Sequence, residues 1–271
     1  MNSAERYAIE CREVAAGGGW VTWHLAGRGP PIVLVHGGTG SWSHWRRVIP
    51  ELSDQYRLLM PDLPGFGASD LPPHTADVRS LVDTLRASLD VLMPEASRLN
   101  VVGFSFGGLV AGLLTEGIGE RLGRLVLVGT SGLGLPGSRR LPLRRWRSLP
   151  PEDQASVYRH NLATLMISDT STLDAETLEI HAANAAAARF DSRAISAQPY
   201  LIDSLHRTPR PLGLIWGEKD AIAANDMADR IALLRQVDPD CPITVIPGAG
   251  HWVAHERPTA FAAALRSMIA A

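Results

Sequence analysis

Leu99-Asn100-Val101-Val102-Gly103-Phe104-Ser105-Phe106-Gly107-Gly108-Leu109-Val110-Ala111 is the stretch on which the reading of this chain turns. Leu99–Val102 is a short apolar run, as expected of a strand buried on both faces of a sheet. Gly108–Ala111 opens a helix-like run. Ser105 stands between them with a glycine two positions to either side. A serine at a sharp strand-to-helix turn needs small neighbours there, because the flanking backbone crowds it. The start of the helix also brings backbone N–H groups and positive potential beside the hydroxyl. Ser105 therefore reads as a nucleophile held out from the end of a strand.

Working outward, short apolar runs alternate with helix-period runs. Trp20–Leu25 alternates like an early antiparallel strand, and Pro31–Val35, Arg57–Met60, Leu125–Val128, Leu212–Trp216 and Ile243–Ile246 read as buried strands. Val78, Leu81, Val82, Leu85, Leu89 and Leu92 recur at three- and four-residue steps, which predicts a helix with Thr75 as its N-cap. This rhythm implies an α/β fold, a mostly parallel sheet with helices on both faces and its strand ends along one edge. Residues 131–210 break the rhythm. They lack a strand signal and show helical patterns near 152–167 and 173–190, so they are expected to form a helical insertion above that edge, dividing a core of 1–130 and 211–271.

A serine hydroxyl needs a base, and the base needs an orienting acid. His251 follows the last strand in Gly248-Ala249-Gly250-His251 and is the expected base, with His255 as its rival. Asp220 follows the strand Leu212–Trp216 and is the expected acid, with Glu218 as the fallback. The strand end after Leu125–Val128 reads Gly129-Thr130-Ser131 and offers no carboxylate. His24 lies along an early strand, and His160, His181 and His206 fall in the insertion. An oxyanion would be held by the N–H of Phe106 and by that of Gly38, in the tight loop His36-Gly37-Gly38-Thr39-Gly40. His36 is expected to brace that loop. Trp252, Arg189 and Arg193 are candidates for substrate contact, as is the run Arg139, Arg140, Arg144, Arg145 and Arg147, which reads either as a solvated loop or as a set that attracts a carboxylate.

Composition excludes several classes. The 271 residues carry a formal net charge of −2, which gives no long-range field for nucleic acid or a membrane surface. Of the 26 basic residues only Lys219 is a lysine, a skew expected from coding bias. Cys11 and Cys241 are far apart with no metal-ligand spacing and are expected as free thiols in a cytoplasmic protein. The start Met1–Arg6 lacks the pattern of a signal peptide, and no run is long enough to span a membrane. No cofactor and no metal is expected. The expected partner is a small molecule, with carboxylates among the candidates, and the chain is expected as a monomer or homodimer.

Together these pieces resemble the α/β-hydrolase family over nearly the whole chain. The matching motifs are His36-Gly37-Gly38, Asp62-Leu63-Pro64-Gly65-Phe66-Gly67-Ala68-Ser69, Gly103–Gly108, Trp216-Gly217-Glu218-Lys219-Asp220 and Gly250-His251-Trp252. The resemblance implies an α/β-hydrolase fold in which residues 131–210 are a helical lid that sets specificity. It looks like the carbon–carbon bond hydrolases of ring-fission dienoates and like small carboxylesterases. The former usually carry a Gly-Pro-Gly-Ala-type loop where this chain has Thr39-Gly40-Ser41-Trp42. Dehalogenases and epoxide hydrolases would have an aspartate in place of Ser105. The expected activity is serine hydrolysis of a small ester or a vinylogous ketone. The alternatives are a lyase, a cofactor-free oxygenase, or a small-molecule receptor with vestigial hydrolysis.

Overall fold

A computed structural model describes residues 8–94, 98–135, 141–208 and 210–269. Eight strands form one sheet: β1 (Glu10–Ala16), β2 (Gly19–Ala26), β3 (Pro31–Val35), β4 (Arg57–Pro61), β5 (Leu99–Phe104), β6 (Leu122–Val128), β7 (Leu212–Gly217) and β8 (Ile243–Ile246). Their order is β1-β2-β4-β3-β5-β6-β7-β8. The β1–β2 and β2–β4 pairs are antiparallel, and every pairing from β4 through β8 is parallel. This is the mostly parallel α/β sheet that the sequence predicts.

Alternation along the strands divides the core in two. Val33, Val35, Val101, Leu125 and Leu127 face one side, where Leu81 and Leu85 of α2 (Val78–Leu92) and Leu109 and Val110 of α3 (Phe106–Thr115) cover them. Ile32, Leu34, Val102, Val126 and Val128 face the other, against Val48, Ile49 and Leu52, the last two in α1 (Ile49–Leu52). Phe261 and Leu265, from the C-terminal helix (Pro258–Ile269), complete that side. Both layers are built from buried apolar side chains, the main source of stability for a sheet of this kind.

Two expectations change. Helix α2 starts where the periodicity places it, but its cap is Asp77, whose carboxylate accepts from the Arg79 N–H at 2.8 Å. Thr75 lies in the preceding turn. Strand β1 has no counterpart in the sequence reading, because at this sheet edge only Val14 of its seven residues is buried and no apolar alternation exists to be seen.

Between β6 and β7 the described residues form α4 (Pro151–Leu165), α5 (Ala175–Ala187), α6 (Ser192–Ser196) and α7 (Tyr200–Arg207). Helix α5 is tied to the loop after β3: the Asn184 Oδ1 accepts from the Ser41 hydroxyl at 2.7 Å, and the Arg47 guanidinium meets Asp174 at 2.7 Å. Helix α7 packs on α3, with Leu201 over Gly112. After β7 come α8 (Met227–Val237), α9 (Val253–Glu256) and α10, the C-terminal helix. No described helix is long and apolar enough to cross a membrane. Cys11 is exposed and Cys241 buried, both as free thiols.

Candidate active site

Ser105 has φ 54° and ψ −118°, a conformation that side-chain-bearing residues rarely adopt. Surrounding bonds hold it there. Its N–H donates to the Val128 carbonyl at 2.9 Å, and its own carbonyl accepts from the N–H groups of Gly108 at 2.9 Å and Ser131 at 3.1 Å. The flanking glycines are required by space. A Cβ on Gly103 would strike the Gly107 carbonyl, and one on Gly107 would strike the carbonyls of Val35 and His36. The strand, the turn and the β3 loop are thus packed backbone to backbone around the serine.

His251 and Asp220 are each 1% exposed, and the His251 Nδ1 lies 2.8 Å from the Asp220 Oδ2. The other carboxylate oxygen, Oδ1, accepts from the Ile222 N–H at 2.9 Å. With Asp220 so oriented, the histidine proton is fixed on Nδ1 and donated to Oδ2, which leaves Nε2 with a free lone pair. Gly129 approaches this pair closely: a Cβ there would lie 3.1 Å from both the Asp220 Oδ2 and the His251 ring. A side chain there would press on the pair, and the backbone φ of 50° favours glycine as well.

Ser105 and His251 line the same cavity, of about 110 Å³, together with Gly38, Phe106, Leu165, Met166 and Ile222. A wider pocket of about 700 Å³ adjoins it through Thr39, Leu143, Trp146, Ser192 and Arg193. Gly38 and Phe106 meet across the cavity wall, where a Cβ on Gly38 would lie 3.6 Å from that of Phe106.

The other candidates separate clearly. Glu218 is exposed and accepts from the Gly248 N–H at 2.9 Å. His255 stacks on Trp252 at 4.1 Å between ring centroids and reaches Thr177 Oγ1 at 3.1 Å. Trp252 does not line the cavity and is corrected to a core residue: it is 2% exposed, and its indole N–H donates to the His44 carbonyl at 2.9 Å. Its place directly after His251 suggests the cavity, but the turn into α9 points it inward. Arg189 lines the wider pocket while its guanidinium donates to the Ser69 carbonyl. Arg193 lines both pockets. Arg144, Arg145 and Arg147 line the wider one, and Arg147 also lies over the Trp146 ring at 5.0 Å. Arg139 and Arg140 lie outside the described residues. His36 braces its loop: Nε2 accepts from the Leu63 N–H at 2.9 Å, and Nδ1 donates to the Gly37 carbonyl at 2.8 Å.

His44 and His181 also line the cavity; a place in the insertion leaves His181 a surface or substrate-facing role, while the sequence gives no role to His44. His44 lies in the short 3-10 helix Trp42–Val48 with no motif around it, its ring 6.0 Å from that of His36. Its Nδ1 accepts from the Gly37 N–H at 3.3 Å, so a neutral ring carries its proton on Nε2. Burial, helped by the neighbouring histidines, keeps His44 well below the usual histidine range, and burial alone holds His181 down to about 4.

Burial likewise lowers His36 and His255 to about 4. The unfolded chain, with histidines near 6.5, therefore binds more protons than the folded one between pH 6.5 and about 4. Stability is complete above that window and is lost as pH falls through it. Glu256, held up by burial, opposes this in part. Thermal melts should give a Tm roughly 10 °C lower at pH 4.5 than at pH 7.5; a flat profile would refute the neutral assignment.

A sequence profile of the alpha/beta hydrolase family matches residues 32–264. The chain belongs to the alpha/beta hydrolase family. Within that family it is 37% identical over 140 residues to 2-hydroxymuconate semialdehyde hydrolase of Pseudomonas sp. strain CF600, a match spanning about half of each protein (50% and 49%). It is 29% identical over 254 residues to 2-hydroxy-6-oxo-6-phenylhexa-2,4-dienoate hydrolase of Burkholderia cepacia, covering 87% of this chain and 86% of that one. Among solved structures, a protein of Burkholderia cenocepacia provisionally assigned as an aryl esterase superposes with a TM-score of 0.80 at 26% identity, covering 96% of this chain and 98% of the other. A meta-cleavage product hydrolase from Pseudomonas fluorescens IP01 shares the fold, with a TM-score of 0.77 at 23% identity over 96% and 97% of the two chains.

Proposed function

We propose that this alpha/beta hydrolase is a serine hydrolase that transfers an acyl group from a small-molecule ester or vinylogous ketone to water. The observation that carries the reading is the strained Ser105 sharing one cavity with a His251 whose Nδ1 is bound to Asp220. In this mechanism the Ser105 Oγ attacks the carbonyl carbon while its proton passes to the His251 Nε2. Asp220 stabilises the imidazolium that forms. The N–H groups of Gly38 and Phe106 hold the oxyanion, an effect worth roughly a hundred- to a thousandfold per donor. Collapse expels the leaving group, which takes the proton from His251. Water then attacks the acyl-enzyme, giving its proton to His251 and, on collapse, returning Ser105 to its hydroxyl form. For a carbon–carbon substrate the same steps follow relocation of a proton to carbon, so that the bond broken lies beside a ketone.

Residues 131–210 act as the lid in this reading, with α4 and α6 closing the cavity and α7 anchored on the core. Arg193, at the junction of the two pockets, with Arg144 and Arg145 behind it, supports an anionic end on the substrate, a carboxylate above all. The free thiols fit a cytoplasmic protein, taken as a monomer or homodimer.

The test is a panel of neutral aryl esters, carboxylate-bearing aryl esters and dienoate ring-fission products. Turnover of at least one class with equimolar acid release is expected, and no hydrolysis across the panel contradicts the reading. Arg193→Gln should raise KM about tenfold or more for the carboxylate-bearing members and leave the neutral esters within about twofold. An equal effect on both would remove Arg193 from substrate binding.

A further inference from the structure

Three carboxylates are buried among the described residues: Asp62, Asp220 and Glu256. Asp62 is spent on the loops around β4, accepting from the N–H groups of Trp42 at 2.9 Å and Ala68 at 3.0 Å. Asp220 faces His251. Glu256, 5% exposed, has no part in the mechanism above.

Its geometry is specific. The Glu256 Oε1 accepts from the N–H groups of Ser168 at 2.9 Å and Asp169 at 2.8 Å, in the segment that leaves α4. The Oε2 accepts from the Gly250 N–H at 2.6 Å, the residue immediately before His251. The same seam is closed by the Trp252 N–H, which donates to the Met166 carbonyl at 2.7 Å, and by Arg257, 3.4 Å from Asp169. On its far side the histidine loop is fastened to the Asp220 loop, with the Lys219 N–H donating to the Ala249 carbonyl at 2.8 Å. One carboxylate thus bridges two segments that both reach the cavity, at Met166 and at His251.

The geometry points to Glu256 as a positioning residue that clasps the end of α4 to the His251 loop, so that the cavity wall at Met166 and the base keep a fixed relation. The proposal rests on the reading of His251 as the base. Hydrogen bonds to an ionised acceptor are the stronger kind, and three backbone N–H groups from two segments converge on this one carboxylate. A base displaced by even 1 Å loses much of its effect, on the order of a hundredfold.

Glu256→Gln is the direct test. The amide keeps the shape but removes the charge and turns an NH2 toward at least one N–H donor. With an aryl ester substrate, kcat per site titrated by a fluorophosphonate should fall about ten- to a hundredfold while KM stays within about threefold. A merely structural role would lower the titrated fraction or the Tm and leave kcat per site unchanged, and that result overturns the proposal. A second measurement needs no variant: amide hydrogen exchange of the wild-type protein should show Gly250, Ser168 and Asp169 protected together. Gly250 exchanging at the unprotected rate would overturn the clasp even if Glu256→Gln fails to fold. Wild-type protein that neither turns over ester nor takes the label would instead remove the functional reading on which the proposal stands.

Discussion

Replacing Ser105 with alanine is expected to abolish turnover, by about a millionfold in kcat, with the fold intact. The size follows from the division of labour in the site. In the proposed mechanism His251 and Asp220 move a proton, but without the Oγ no covalent acyl-enzyme forms, and only the oxyanion donors and binding remain to accelerate attack by water. The fold should tolerate the change, since Ser105 is anchored through its backbone to Val128, Gly108 and Ser131. Alanine does retain the cost of the φ 54° backbone, roughly 1–3 kcal/mol, which the packing of β3, β5 and α3 already sustains. Circular dichroism and a thermal melt check the fold, and hydrolysis of an aryl ester checks the chemistry. Turnover of Ser105→Ala within a hundredfold of wild type would assign the nucleophile elsewhere.

Asp220→Asn should lower kcat by about ten-thousandfold. The Asp220 carboxylate accepts from the Ile222 N–H through Oδ1 and from the His251 Nδ1 through Oδ2. An asparagine can keep the first bond with its carbonyl oxygen only by presenting its NH2 to His251. The histidine must then accept at Nδ1, and its proton moves to Nε2, the atom that has to receive the serine proton. Glu218→Gln is the control. Glu218 is exposed and bonded to the Gly248 N–H, which a glutamine oxygen can still satisfy. Its kcat should remain within about threefold of wild type, and the reverse ranking of the two variants would move the acid to Glu218.

Much of this architecture can be read from contiguous residues. The parallel strands show as unbroken apolar runs because both of their faces are covered, and Ser105 carries its strand, turn and helix within thirteen residues of sequence. Asp220 and His251 can be picked out because the fold places strand ends along one edge, so that position after a strand becomes position near the serine. Where an assignment depends on which way a side chain turns after the strand, sequence is silent. Trp252 follows His251 directly, yet it turns inward onto His44 and His255. Glu256 reaches Ser168 and Asp169 across 88 and 87 residues of chain and His44 meets Trp252 across 208, and no local pattern announces either. Strand β1 goes unseen for the opposite reason: at an exposed edge it buries one side chain and needs no apolar pattern.

The most direct measurement of the central claim is covalent titration of the wild-type enzyme with a fluorophosphonate, followed by peptide mass spectrometry. One phosphonyl group per active chain is expected, attached to Ser105, with loss of ester hydrolysis in proportion to labelling. Ester hydrolysis that persists at full labelling, or an adduct on a residue other than Ser105, would contradict it.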